Sequence, residues 1–325
     1  MPNIIQKDQA AYDAFNAIQK SDRIGIISHR SPDPDAIGAN LALKHCLKAL
    51  NKQVISLCVD PLPSNSFFIK GTEEYQKMTD FENLDLIITV DCGSKSQVAF
   101  EPFFPELFSG KIPLLNIDHH SSNEHFGTIN IVYPDLASTC EILTMLFEIW
   151  KVHITPEMAT CLLFGLYYDT GSFMHSNTTS NVLEIAEKLV AAKADLPNII
   201  SNLYKNLSIP KLKLWGQALS NMETTPEENI VAVVTQEDFQ KTHTKYEDLS
   251  GVIDYLNSVK GSNYTLLATE DGKGNIKGSL RTRRDDLNLS DMAGKYGGGG
   301  HKKASGFTVK GSLEKSSVFK VELPE

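Results

Sequence analysis

Three imidazoles and five carboxylates stand where apolar runs of this 325-residue chain end: His29, Asp33 and Asp35; Asp91; Asp118, His119 and His120; and Asp169. Singly, each has an ordinary reading. Asp118-His119-His120 would be a solvated turn, Asp35 a helix N-cap and Asp91 a turn former before Gly93. Together they read otherwise. A cap explains neither His29 nor Asp33, and a buried strand that ends on charged groups needs a metal, a charged partner or water to meet them. The donors are oxygen and imidazole without thiolate. That set suits Mn²⁺, with Mg²⁺, Co²⁺ or Fe²⁺ as competitors, better than a structural zinc. So many carboxylates at one edge would repel one another unless at least two cations neutralised them. Two cations about 3.5–4 Å apart are the apparatus of phosphoester hydrolysis, activating a water and stabilising both the attacking and the leaving oxygen.

The elements that must position these groups follow from the apolar pattern. Residues 23–28 read as a strand that runs into His29-Arg-Ser-Pro-Asp-Pro-Asp-Ala. Pro32 and Pro34 stiffen this loop, and Ser31 and Asp33 are expected to be extended. A helix over 36–50 follows. Further strands are expected over 53–59, 84–90 and 112–117, the last two ending on Asp91 and Asp118. With a helix over 10–20, the alternation predicts an α/β fold built on a doubly wound parallel sheet, whose ligands lie at the carboxyl ends of its strands. Residues 137–150 and 155–168 read as helices. The second, apolar nearly all round and opening on Thr155-Pro156, is expected to be central and to close on Asp169. A carboxylate there sits at the unfavourable end of the helix dipole, a cost that a metal would offset.

Helices over 180–192 and 196–223 lead out of this domain, and 226–229 marks a boundary. Strands over 230–235, 264–269, 275–281 and 306–309, with helices over 249–257 and 290–295, predict a smaller α/β domain. Residues 273–303 carry eight Lys/Arg against three Asp, although the whole chain has a net charge of −9. An acidic body with one basic segment suits a small anionic substrate rather than a long duplex. The same segment holds four consecutive glycines, Gly297 to Gly300, followed by His301. Such a run permits close backbone approach to a ligand, and its amides can hold phosphate.

Composition is that of a globular protein, 41% hydrophobic and 22% charged. No apolar run approaches the roughly 18 residues that span a bilayer, so no membrane partner is expected. Five cysteines, odd in number and without Cys-x-x-Cys spacing, read as reduced thiols of a cytoplasmic protein.

The ordered set His29-x-x-x-Asp33-x-Asp35-Ala-Ile-Gly, Asp91-Cys-Gly, Asp118-His-His and Tyr168-Asp169-Thr-Gly resembles the four motifs of the DHH phosphoesterases. Ser-Leu-Arg281 and Gly-Gly-Gly-Gly-His301 resemble the DHH-associated C-terminal domain of the subgroup that includes nanoRNase/pAp phosphatases, small phosphodiesterases of cyclic-dinucleotide pathways and RecJ exonucleases. Pro34 stands where that family usually has glycine. The resemblance implies a catalytic domain over 1–205, a helical linker over 206–225 and a substrate-binding domain over 226–325. It implies one metal on His29, Asp33 and Asp91 and a second on Asp35, Asp91, His119 and Asp169, with Asp91 bridging. His120 would touch the scissile phosphate and Asp118 would orient its neighbours. Arg281, Gly299, Gly300 and His301 would hold the far end of the substrate. His45, His125, His153, His175 and His243 receive no role. The implied substrates are short RNA or DNA oligonucleotides, linear dinucleotides such as pApA, and 3′-phosphoadenosine 5′-phosphate (pAp); a homodimer is compatible with the resemblance. Two alternatives stand beside it: a pyrophosphatase or exopolyphosphatase on the same dimetal core, and a non-catalytic nucleotide-binding module.

Overall fold

The computed structural model describes residues 8–77, 81–205, 207–314 and 320–321. The chain divides into two compact units, Met1–Asn206 and Leu207–Glu325, and the fold is mixed α/β in both.

The first unit runs α1 (Gln9–Lys20), β1 (Arg23–Ser28), α2 (Pro34–Ala49), β2 (Gln53–Leu57), β3 (Leu86–Val90), α3 (Lys95–Val98), β4 (Leu114–Asp118), β5 (Ile129–Val132), α4 (Thr139–Ile149), α5 (Pro156–Asp169), α6 (Ser180–Ala191) and α7 (Leu196–Ile200). Its five strands are all parallel, in the order β2-β1-β3-β4-β5. The strand order reverses between β1 and β3, and in such sheets the crevice beyond the carboxyl ends at the reversal is where ligands bind. Side chains alternate across the sheet. Ile24, Ile26, Leu86, Ile88, Leu115 and Ile117 pack under the helical layer that includes α2, α4 and α5. Ile27, Ile87 and Leu114 face an aromatic cluster with Phe81, Phe100 and Phe104.

Several boundaries differ from the sequence reading, each for a local reason. α2 begins at Pro34 because Asp33 is its N-cap, accepting from the amides of Asp35 (2.9 Å) and Ala36 (3.1 Å). Pro34 fills the first helical position, where a missing N–H costs nothing. Asp33 is extended as expected, but Ser31 is not: its φ is +52°. The Asp60 carboxylate holds it there, accepting from its amide at 2.9 Å and its hydroxyl at 3.3 Å. β4 starts at Leu114 and takes in Asp118. β5 was not anticipated; it is a four-residue, largely half-buried edge strand with Asn130 inside it, too short and mixed to stand out. The helices expected over 196–223 are α7, a π-turn over Ser201–Lys205 and α8 (Ile209–Ser220), followed by a strand at Glu223–Thr224. Residue 206 lies outside the described residues.

The second unit continues from α8 through β6 (Glu223–Thr224), β7 (Ile230–Val234), α9 (Gln236–Thr242), α10 (Val252–Leu256), β8 (Thr265–Glu270), β9 (Asn275–Arg281), α11 (Leu289–Gly294), β10 (Gly299–His301) and β11 (Ala304–Lys310), with a short pair β12 (Leu313–Glu314) and β13 (Lys320–Val321). The main sheet has the order β10-β11-β9-β8-β7-β6 and is antiparallel except for β7 with β8. Leu214 and Ala218 of α8 share its core with Ala232, Val234, Val252 and Leu267. α9 was not anticipated, although Thr235 and Asp238 form a capping box. The helix expected over 249–257 is interrupted at Gly251, whose φ is +95°. Among the described residues, no helix is long and apolar enough to cross a membrane.

Candidate metal centre

The eight donors of the first unit are delivered by the ends of three strands and two helices. β1 ends at Ser28 and presents His29; β3 ends at Val90 and presents Asp91; β4 presents Asp118, His119 and His120. Asp33 and Asp35 sit at the start of α2, and Asp169 is the last residue of α5. His29 and Asp91 therefore flank the reversal of strand order.

Asp91 is the common member. Its Oδ2 lies 3.5 Å from His29 Nε2, and its Oδ1 lies 3.5 Å from His119 Nε2 and 3.6 Å from His120 Nδ1. Donor atoms of His29, Asp33 and Asp91 lie within 4.8 Å of one another, as do those of Asp35, Asp91 and His119, and those of Asp91, Asp118 and His120. Asp169 joins through His119, with Oδ2 at 3.2 Å from Nε2. Asp91 also has a φ of +58°, a left-handed backbone that a side chain rarely adopts, held by its amide donating to Ile117 O at 3.0 Å.

The carboxylates are oriented by hydrogen bonds from neighbouring elements. Asp35, fully buried, accepts from the amides of Thr139 (2.7 Å) and Cys140 (3.0 Å) at the start of α4. Thr139 Oγ1 donates to Asp91 Oδ1 at 3.2 Å. Asp118 accepts from Asn123 Nδ2 at 2.6 Å and lies 2.7 Å from His120 Nδ1. Asn123 is held in turn by Asn116, and Asn116 by Thr89. Among the described residues, the ion pairs of these carboxylates are all with histidines.

Burial, and then the charges of Asp91 and Asp33, push the Asp35 carboxyl well above the usual range. Burial, followed by Asp35, Asp33 and Asp91, does the same to Asp169. Burial works against a charge on His29, but Asp33 and Asp91 outweigh it and raise its pKa to about 12. Burial likewise opposes a charge on His120, yet Asp118 and Asp91 raise it to about 9. His119 is lowered by burial. Mutually repelling buried carboxylates are best served by a nearby cation, and the oxygen and imidazole donors gathered here fit hard divalent ions.

The sequence reading missed Thr139, Cys140, Asn123 and Asp60. A signal existed for the first two: Ser138-Thr-Cys-Glu141 has the spacing of a helix start, and Ser138 does cap α4. What the sequence does not carry is that this start faces Asp35, 104 positions away. His175, to which no role was given, has Nδ1 3.3 Å from the Asp169 carbonyl oxygen.

In the second unit, Arg281 pairs across β9 and β11 with Ala304, which pairs with His301 of β10, so both lie at one end of that sheet. Arg281 donates from Nη1 to Leu280 O at 3.0 Å, and its Nε lies 3.7 Å from Asp254. Much of the basic segment is paired locally: Arg284 with Asp286, and Lys303 with Asp285 at 2.6 Å. Two of the four glycines are required by the fold. A Cβ on Gly298 would lie 2.1 Å from Gly306 O, and one on Gly300 (φ +136°) 2.6 Å from Ala304 O. Gly299 faces open space.

Residues 23–166 match the DHH family, N-terminal domain, and residues 227–321 the DHHA1 domain. A protein of Mycoplasma genitalium named bifunctional oligoribonuclease and PAP phosphatase NrnA is 30% identical over 308 residues, covering 94% of each chain. The Thermus thermophilus protein of the same name is 33% identical over 292 residues, covering 89% of this chain and 84% of that one. The chain belongs to the DHH family. It is of the NrnA-like type within it, a hydrolase of phosphoester bonds dependent on divalent metal. Among solved structures, an exopolyphosphatase-related protein from Bacteroides fragilis superposes with a TM-score of 0.84 at 27% identity, covering 92% of this chain and 91% of that one. The DHH match contains seven of the eight donors, and Asp169 lies three residues beyond it.

Proposed function

We propose that this DHH enzyme hydrolyses short oligoribonucleotides and linear dinucleotides to mononucleotides, and removes the 3′-phosphate of pAp, with two Mn²⁺ ions held by the first unit. The observation that carries the reading is the position of Asp91, whose two oxygens each lie 3.5 Å from a different histidine, Oδ2 from His29 and Oδ1 from His119. His29, Asp33 and Asp91 would hold one ion; Asp35, Asp91, His119 and Asp169 would hold the other. When bound, the ions supply Lewis acidity to the phosphoryl group and lower the pKa of the attacking water. His120, fixed by Asp118 at 2.7 Å, brings a positive hydrogen-bond donor to the scissile phosphate. Asp118 acts through His120 and through Asn123. Arg281 and His301, at one end of the second sheet, bind the far end of the substrate, and Gly299 leaves room for its approach. The relatives named as oligoribonuclease and PAP phosphatase support this choice of substrate.

The alternative, a hydrolase of inorganic polyphosphate, takes some support from the name of the Bacteroides fragilis protein. A nucleoside needs a surface to lie on, however, and the second unit supplies one with a cation at its edge. Product analysis decides. With Mn²⁺, the enzyme is expected to convert pApA to AMP, release orthophosphate from pAp and leave pyrophosphate intact. Turnover of pyrophosphate without turnover of pApA would reverse the choice.

A further inference from the structure

We propose that Thr139 is a positioning residue for the metal centre, fixing which oxygen of Asp91 faces which ion; the inference rests on the dimetal reading above. Thr139 is fully buried at the first position of α4. Its amide donates to Asp35 Oδ2 at 2.7 Å and its hydroxyl to Asp91 Oδ1 at 3.2 Å. One residue thus grips two carboxylates, Asp35 at the start of α2 and Asp91 just after β3. The hydroxyl makes no other hydrogen bond among the described residues, so its single proton is committed to Asp91.

That proton breaks the symmetry of the shared carboxylate. Oδ1 receives it and faces His119 and His120, whereas Oδ2 faces His29. A carboxylate free to rotate about its last bond would exchange the two oxygens and blur both sets of distances. The Asp91 amide bond to Ile117 O fixes the backbone, but it does not fix rotation of the carboxylate. Asp35 needs no such hydroxyl, since two backbone amides of an eleven-residue helix hold both of its oxygens. Hydrogen bonds of this kind, one step removed from the metal, typically change affinity by about 10–100-fold when lost.

Thr139→Val keeps the shape and removes the proton; Thr139→Ser keeps the proton and removes a methyl group. The test measures Mn²⁺ binding to chelated protein by the loss of the free-ion electron paramagnetic resonance signal, alongside thermal unfolding of the metal-free proteins. Thr139→Val is expected to weaken Mn²⁺ binding by about 10–100-fold, and Thr139→Ser to stay within about threefold of wild type. Valine binding as tightly as wild type would overturn the assignment, and so would serine binding as weakly as valine, which would trace the effect to packing. Wild type that takes up no Mn²⁺ would overturn the dimetal reading and this inference with it.

Discussion

Replacing Gly165 by alanine should damage the metal centre far more than the fold. Gly165 lies inside α5 where that helix crosses α2. A Cβ there would stand 2.5 Å from Asp35 Oδ1, 2.5 Å from Cys140 Sγ and 2.8 Å from Asp35 Cα. None of these neighbours is the free end of a long side chain, so the start of α2 must move. Overpacking of this kind costs about 1–3 kcal/mol, and alanine returns about 1 kcal/mol through its better helix propensity. The net loss of stability is therefore small, up to about 2 kcal/mol. The metal centre has no such compensation. Asp35 would be driven off the two amides that aim it, at 2.7 and 3.0 Å, and affinity should fall by at least the 10–100-fold typical of lost support to a ligand. Gly216, inside α8 with nothing within 4 Å of its added Cβ, is the matched control. Gly216→Ala should stabilise by about 0.5–1 kcal/mol and leave metal binding alone. Thermal unfolding and Mn²⁺ titration of the two variants together read both quantities. Gly165→Ala with wild-type affinity would refute the argument that helix contact sets the position of Asp35.

Three further outcomes are expected. Asp91→Ala should abolish hydrolysis and lower metal content measured by atomic absorption, because it would remove the carboxylate proposed to be shared by both ions; retention of more than about a tenth of the rate, the mild end of what losing a group one step removed from the metal costs, would refute bridging. Mn²⁺ binding near neutral pH should release protons, since His29 is raised to about 12 and Asp35 and Asp169 are raised well above the usual range in the ion-free centre. Affinity should then rise with pH, and calorimetric enthalpies should vary with buffer ionisation enthalpy; no variation would contradict this account. Arg281→Ala should raise KM more than it lowers kcat, by about 1.5–3 kcal/mol for a lost charge-assisted hydrogen bond, and more for pApA than for unphosphorylated ApA; an equal, pure kcat defect would place Arg281 at the reaction centre.

The fold of the first unit was legible because β1, β3 and β4 are mostly apolar and buried and end abruptly on polar residues; β1, at Arg23–Ser28, has the bounds expected from the sequence. β5 was not, because an edge strand half exposed to water has no such contrast. All eight donors are named by residue type and by position after an apolar run. The groups that aim them are not: Thr139, Asn123 and Gly165 are ordinary residues whose importance comes from contacts across long sequence separations. The basic segment shows the converse. Counting charges marked a basic segment suited to a small anionic substrate, and in the structure Arg284, Lys303 and Arg281 each have an acidic neighbour, a pairing that composition does not reveal.

These contacts share a consequence for stability. The left-handed Asp91, the helix-terminal Asp169 and the buried, mutually repelling Asp35 each cost the first unit free energy, and the hydrogen bonds around them supply direction rather than countercharge. Divalent cations relieve that cost only in the folded state, so occupancy must stabilise the unit that holds them. An ion at 100 times its dissociation constant contributes about 2.7 kcal/mol, enough to slow exchange of globally protected amides roughly a hundredfold. Native-state hydrogen exchange with and without Mn²⁺ should show that slowing at Ile26, Ile88 and Ile117 in the core strands of the first unit. Leu267 and Leu280 in the second sheet should change little, because all the proposed ligands belong to the first unit. An equal slowing in both sheets would mean that the metal stabilises the chain as one body. No slowing at all would mean that the cost is met without cations, and the electrostatic account of the site would fail.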